Sequence, residues 1–111
     1  MQAKLIFQYN GYPQSQEAVV VRENITGDEY WEEDFVGRLQ RAGVAATKAE
    51  IDCPYSPTCD DHFVCLRVPV LVHFDGDEED VSRKLCKWCE TYADDAATFY
   101  SDSCWLEDIT E

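Results

Sequence analysis

Between Phe63 and Phe74 every second residue is apolar, so that Val64, Leu66, Val68, Val70, Val72 and Phe74 fall on one face with a period of two. A row of that length has to be the inner face of a sheet strand, and the rest of the chain must supply a second layer to cover it. Pro69 interrupts the row's backbone without interrupting its pattern. Because proline lacks an N–H, the strand is expected to lie at a sheet edge, to bulge, or to break there.

The other segments follow from shorter signals. Lys4–Tyr9 alternates Leu5, Phe7 and Tyr9 against Ile6 and Gln8, which reads as a strand. Asn10-Gly11 with Pro13 is turn chemistry, and the β-branched run Val19-Val20-Val21 predicts a second strand over Glu17–Arg22, paired with the first as a hairpin. Thr26 and Glu29 have capping-box spacing, opening a helix in which Trp31, Phe35, Leu39 and Ala42 form the apolar stripe and Gly43 marks the end. Val44–Asp52 reads as a strand with Ala45, Thr47, Ala49 and Ile51 on one face, and Cys53–His62 as a loop. A second helix opens at Asp75–Glu78 and runs to about Ala97, with Val81, Leu85, Trp88, Tyr92 and Ala96 inward. The aromatic tail from Phe99 to Glu111 is expected to add a short strand or to pack across the sheet. The expected architecture is a single α+β domain over 1–111. It is a two-layer sandwich of ββαββα order, with a mainly antiparallel four-stranded sheet and two helices on one face.

Charge narrows the function. The chain carries 23 acidic against 9 basic residues, a net charge of −14. That field repels nucleic acid and anionic membranes, whose recognition depends on Lys and Arg, and it favours association with a basic surface on a protein or nucleoprotein complex. Solubility alone is the alternative use of such charge. Asp28–Asp34 holds five acids in seven residues, Asp75–Asp80 holds five in six, and no basic residue follows Lys87. On the first helix Glu29 and Glu33 are i,i+4 neighbours, roughly 5–6 Å apart at Cβ, with no base placed against the helix start. Rows of carboxylates at such spacing can imitate a phosphate backbone, which carries a charge about every 3.4 Å per strand. On the second helix Glu79 with Arg83 and Asp80 with Lys84 have the spacing of an ordinary salt-bridged surface. The partner-binding residues expected from this are Asp28, Glu29, Glu32, Glu33, Asp34, Asp77, Glu78, Glu79, Asp80, Asp94 and Asp95.

Six cysteines and two histidines are the remaining chemistry. No stretch has the length of a membrane span and Met1–Tyr9 lacks the pattern of a signal peptide, so a cytoplasmic location with reduced thiols is expected. Cys53, Cys59, His62 and Cys65 cluster around one loop, but at spacings wider than a zinc knuckle, so no metal is assigned. A disulfide between Cys53 and Cys65 is open under oxidation. Cys86-Lys87-Trp88-Cys89 has thioredoxin-like spacing but lies well inside a helix behind Asp77–Asp80. Core cysteines are the expected reading there. His73, opposite the valine row, is expected at the surface or in a pair. No Gly-rich phosphate loop, nucleophile elbow or twelve-residue calcium loop is present, so no enzyme, cofactor or small-molecule substrate is expected.

In size, acidity, α+β pattern and lack of catalytic motifs, the chain resembles the small acidic inhibitors that phages and mobile elements use against host defence, anti-CRISPR proteins and DNA mimics among them. The resemblance implies a non-enzymatic inhibitor, working in the cytoplasm of an infected bacterial host, whose acidic face occupies a basic, nucleic-acid-binding surface. A protein–protein adaptor anchored by Tyr30, Trp105 and the tail is the alternative, followed by a small structural zinc module.

Overall fold

A computed structural model describes residues 1–11, 16–27, 29–57, 65–91 and 99–111. Four strands, β1 (Gln2–Asn10), β2 (Ala45–Ile51), β3 (Cys65–Asp75) and β4 (Ser103–Thr110), form one antiparallel sheet in the order β2-β3-β1-β4. The helices are α1 (Glu17–Val20), running directly into a π-helical turn over Val21–Ile25, then α2 (Trp31–Arg41) and α3 (Glu78–Thr91). The protein is therefore α+β, with element order βααββαβ and not ββαββα.

The valine row behaves as its period requires. Leu66, Val68, Val70, Val72 and Phe74 are all buried, and they share one cluster with Ala3, Leu5, Phe7 and Tyr9 of β1. Phe35 and Leu39 of α2, Val81 and Leu85 of α3, and Val20 and Ile25 of the first helical segment complete it. Burying this set is the main favourable term in folding, at roughly 1.5–3 kcal/mol for each large side chain. Val64 lies outside the described residues.

Four expectations change. The run Glu17–Arg22 is helical, not a strand. Both sides of β1 are already occupied, by β3 and by β4, so a hairpin partner has nowhere to pair. Tertiary context overrides the β-propensity of three valines. Val20 and Ile25, five apart, are the buried pair, a spacing that a π-turn puts on one side.

Thr26 is also not an N-cap. It closes the π-turn, with its N–H donating to Val21 O at 2.7 Å and its Oγ1 donating to the same oxygen at 3.1 Å. The next helix starts five residues later at Trp31, with Tyr30 as an N-cap that makes no side-chain capping bond. Gly43 ends this helix as expected, at φ +92°, where a side chain would be strained.

In β2 the register shifts between Ala46 and Lys48, leaving Thr47 as the extra residue. Ala49 and Ile51 therefore meet the core as expected, while before the bulge Ala46 faces inward in place of Ala45 and Thr47. Thr47 Oγ1 donates to His73 O at 3.3 Å across this irregularity.

Pro69, finally, lies in an interior strand that runs straight through it, opposite Ile6 of β1. Only the ladder to β2 breaks. Named pairing ends at Ile51 opposite Val70, Asp52 N donates to Pro69 O at 3.0 Å, and pairing resumes as an isolated bridge between Tyr55 and Arg67. The missing N–H thus falls where β2 has already left the ladder.

The tail forms an edge strand, β4, entered through a tight turn. Phe99 and Tyr100 adopt φ +57° and +54°, a conformation unfavourable for residues with side chains. Phe99 is buried edge-on against Phe7 (5.5 Å) and tilted against Phe35 (5.3 Å), and its carbonyl accepts a 2.7 Å bond from Tyr9 Oη. Asp102 locks the turn to β1, accepting from Asn10 N at 2.7 Å while its own N–H donates to Gln8 O at 2.9 Å.

Candidate functional site: two acidic clusters

Phe35 meets the ring of Trp88 at 5.9 Å, and Lys84 Nζ donates to Gly43 O at 3.0 Å. Residues early in α2 therefore lie beside residues late in α3, and the two helices run antiparallel. Their acid-rich starts sit at opposite ends of the pair. Between them Arg83, Lys84 and Lys87 line a groove of about 490 Å³ with Trp88. Among the described residues the acids of the two helix starts are thus separated by a basic strip and do not form one continuous row.

At the start of α2 the acids are engaged locally. Asp34 pairs with Arg38 at 2.9 Å, so a base does sit against this helix start. The i,i+4 spacing of Asp34 and Arg38 was available in the sequence and is the ordinary reason for such a pair. Glu32 is half-buried and its Oε1 accepts a long 3.4 Å bond from Ala49 N in β2. Glu29 and Glu33 are the exposed pair of this cluster. Asp28 lies outside the described residues.

At the start of α3, Asp77 accepts the N–H of Asp80 at 3.1 Å, the bond of an N-cap. Asp80 is bonded to both Lys84 (2.8 Å) and Arg83, so Arg83 turns to Asp80 and leaves Glu79. The hydrogen bond from Lys84 lowers the Asp80 pKa, with the charges of Lys84 and Arg83 adding to the effect. Glu78 and Glu79 face outward into an open groove of about 750 Å³ between α3 and β4. The opposite wall holds Glu107 and Asp108, brought there by the pairing of β4 with β1. Glu78, Glu79 and Glu107 thus border one groove together with Arg83. Glu107 also lies 4.0 Å from Lys4 Nζ, and Asp108, paired with Lys4 across the sheet, borders a second groove with Lys4 and Asp52 as well.

Glu107 and Asp108 were not among the expected contact residues. They stand side by side between Leu106 and Ile109, where the pairing with β1 slips by one residue, so no period of two marks them, and which edge the tail would join was not visible. Asp94 and Asp95 lie outside the described residues, as do Cys59 and His62 of the loop considered for zinc. Cys86 is exposed, while Cys89 is half-buried beside the core and meets Cys104 of β4, Sγ to Sγ, at 3.5 Å. His73 pairs with Glu50 at 3.2 Å, as its position opposite the valine row suggested.

Of the aromatic anchors considered, Trp105 is half-buried under the Arg67 guanidinium, 5.0 Å from the ring centre. Tyr30 and Tyr100 are exposed, at 58% and 70%. Among the described residues no helix is long and apolar enough to cross a membrane. No family model matches this chain, and neither a curated protein nor a solved structure is found to be similar to it.

Proposed function

We propose that this chain is a non-enzymatic binding protein, an inhibitor whose acidic surface occupies a basic, nucleic-acid-binding site on a target protein or nucleoprotein complex in the cytoplasm. The observation that carries this reading is the groove between α3 and β4. There Glu78 and Glu79 lie across an open groove from the Glu107–Asp108 segment, drawn from a distant part of the sequence, with Lys4 4.0 Å from Glu107 at its edge. Like charges held together in the folded state repel one another, at a cost to stability. A basic partner relieves that repulsion and gains from a long-range field that speeds encounter. Glu29 and Glu33, at the far end of the helix pair, give a second contact point. The spacing of two negative clusters around a basic strip suits a partner with two basic patches better than one continuous phosphate-binding channel.

The test is capture on the immobilised chain from nuclease-treated bacterial lysate that contains CRISPR and restriction systems. The expected partner is a nucleic-acid-binding complex that elutes as salt rises and is displaced by duplex DNA. A partner that resists salt and ignores DNA would instead support an adaptor acting through Tyr30 and Tyr100.

A further inference from the structure

A small groove of about 250 Å³, adjoining the acidic one at Cys86 and Leu106, is lined by these two residues with Cys89, Glu90, Cys104 and Trp105. Three of the six cysteines meet there. Cys89 and Cys104 come from different elements, fifteen residues apart, and their sulfurs are 3.5 Å apart. A disulfide holds its sulfurs at about 2.05 Å, so closure needs an approach of about 1.5 Å, within the reach of small side-chain and helix adjustments. Cys86 lies three residues before Cys89 on the same helix face and is exposed at the mouth of the groove. Two apolar cysteines packed only for their volume would not require a third at the opening, nor a groove leading to them.

We propose that Cys89 and Cys104 are a site of reversible oxidation, closing a disulfide between α3 and β4 by exchange with a small-molecule disulfide of the glutathione type. The hydrogen bond to Cys89, together with burial, pushes the Cys104 thiol pKa up, so Cys104 keeps its proton while Cys89 acts first. The Cys89 thiolate attacks one sulfur of the small disulfide, and the other sulfur leaves as a thiolate that takes up a proton. Cys104 then gives up its proton and attacks the Cys89 sulfur of the mixed disulfide, expelling the second small thiol. Two protein thiols are oxidised, one disulfide is reduced to two thiols, and the protons balance.

The sequence makes the product easy to identify. No Lys or Arg follows Lys87, so trypsin leaves Cys89 and Cys104 in one peptide, Trp88–Glu111, and Cys86 in another, Leu85–Lys87. The intact reduced chain is equilibrated in glutathione buffers from fully reduced to fully oxidised, quenched in acid, alkylated, digested and weighed. The expected product is Trp88–Glu111 lighter by two hydrogens and without alkyl groups, returning to the doubly alkylated form after dithiothreitol. Cys86→Ser leaves that product unchanged. A Trp88–Glu111 peptide that stays doubly alkylated in the most oxidising buffer overturns the proposal. So does one that keeps glutathione, or one that is joined to Leu85–Lys87. Because the mapping uses the unaltered chain, the outcome does not depend on any variant folding.

Discussion

The two acidic clusters look alike as strings of letters and differ in what the fold makes of them. The cluster at the start of α2 is contiguous in sequence but dispersed in use, with Asp34 held by Arg38 and Glu32 turned to β2. The cluster at the start of α3 also gives up Asp77 and Asp80 to local bonds, yet it gains the Glu107–Asp108 segment, with Lys4 beside it, from a strand that arrives almost thirty positions later. A charge run is therefore a poor guide to a charged surface. Local partners subtract from it, and the topology decides what is added.

The sharpest way to break the comparison is to ask whether one core holds both ends. Phe35 touches Phe7, Phe99 and Trp88, and so joins α2, the sheet, the β4 turn and α3. Phe35→Ala is expected to cost about 3–5 kcal/mol in urea unfolding, with both helices lost in a single transition. Two separate transitions would show that the ends are independently stable.

Binding comes next in size. Reversing Glu78, Glu79, Glu107 and Asp108 to Lys is expected to weaken a captured partner about 100-fold, at roughly 0.7 kcal/mol for each exposed charge. Reversing Glu29 and Glu33 is expected to cost only about 10-fold on the same estimate. Titration at fixed salt reads both, and the opposite ranking would move the main contact to α2.

Stability separates the two helix starts further. Thr26→Ala is expected to cost about 1 kcal/mol, because the hydroxyl closes the π-turn, while Glu29→Ala stays within about 0.5 kcal/mol. A capping box would make both costly and coupled in a double-mutant cycle. The smallest effect belongs to Asp80. Its folded-state pKa is depressed, so its contribution is present above the unfolded-state value and is lost as pH falls through the folded one. Asp80→Asn should flatten that part of the acid limb of the stability curve, whereas Glu79→Gln, which is not bonded to Arg83, should leave it unaltered.

Much of the fold was legible where a period ran long enough. The row from Leu66 to Phe74, the stripes of Phe35 and Leu39 and of Val81 and Leu85, and the end at Gly43 all follow from local pattern. Failure came where two elements competed for one edge. Val19-Val20-Val21 has the composition of a strand, but β1 was already paired on both sides, and nothing local in those residues records that. The same non-local fact, the seating of β4 beside β1, hid Glu107 and Asp108 from the candidate site and placed Cys104 against Cys89. Thr47 shows a smaller case, since one bulged residue turned Ala46 inward in place of Ala45 while leaving Ala49 on the expected face.

The turn at Phe99 and Tyr100 bears on the order in which the molecule assembles. Two successive side-chain-bearing residues at positive φ each cost on the order of 1–3 kcal/mol, and that cost is met only when the Phe99 ring has aromatic neighbours and its carbonyl has the Tyr9 hydroxyl. Neither exists until β1 and α2 have come together. The last strand is thus expected to dock late on the folding path and to leave early on the unfolding path. Mutations at Phe99 would then speed unfolding with little change in the folding rate. Fraying at that edge would open the acidic groove before the valine core loosens.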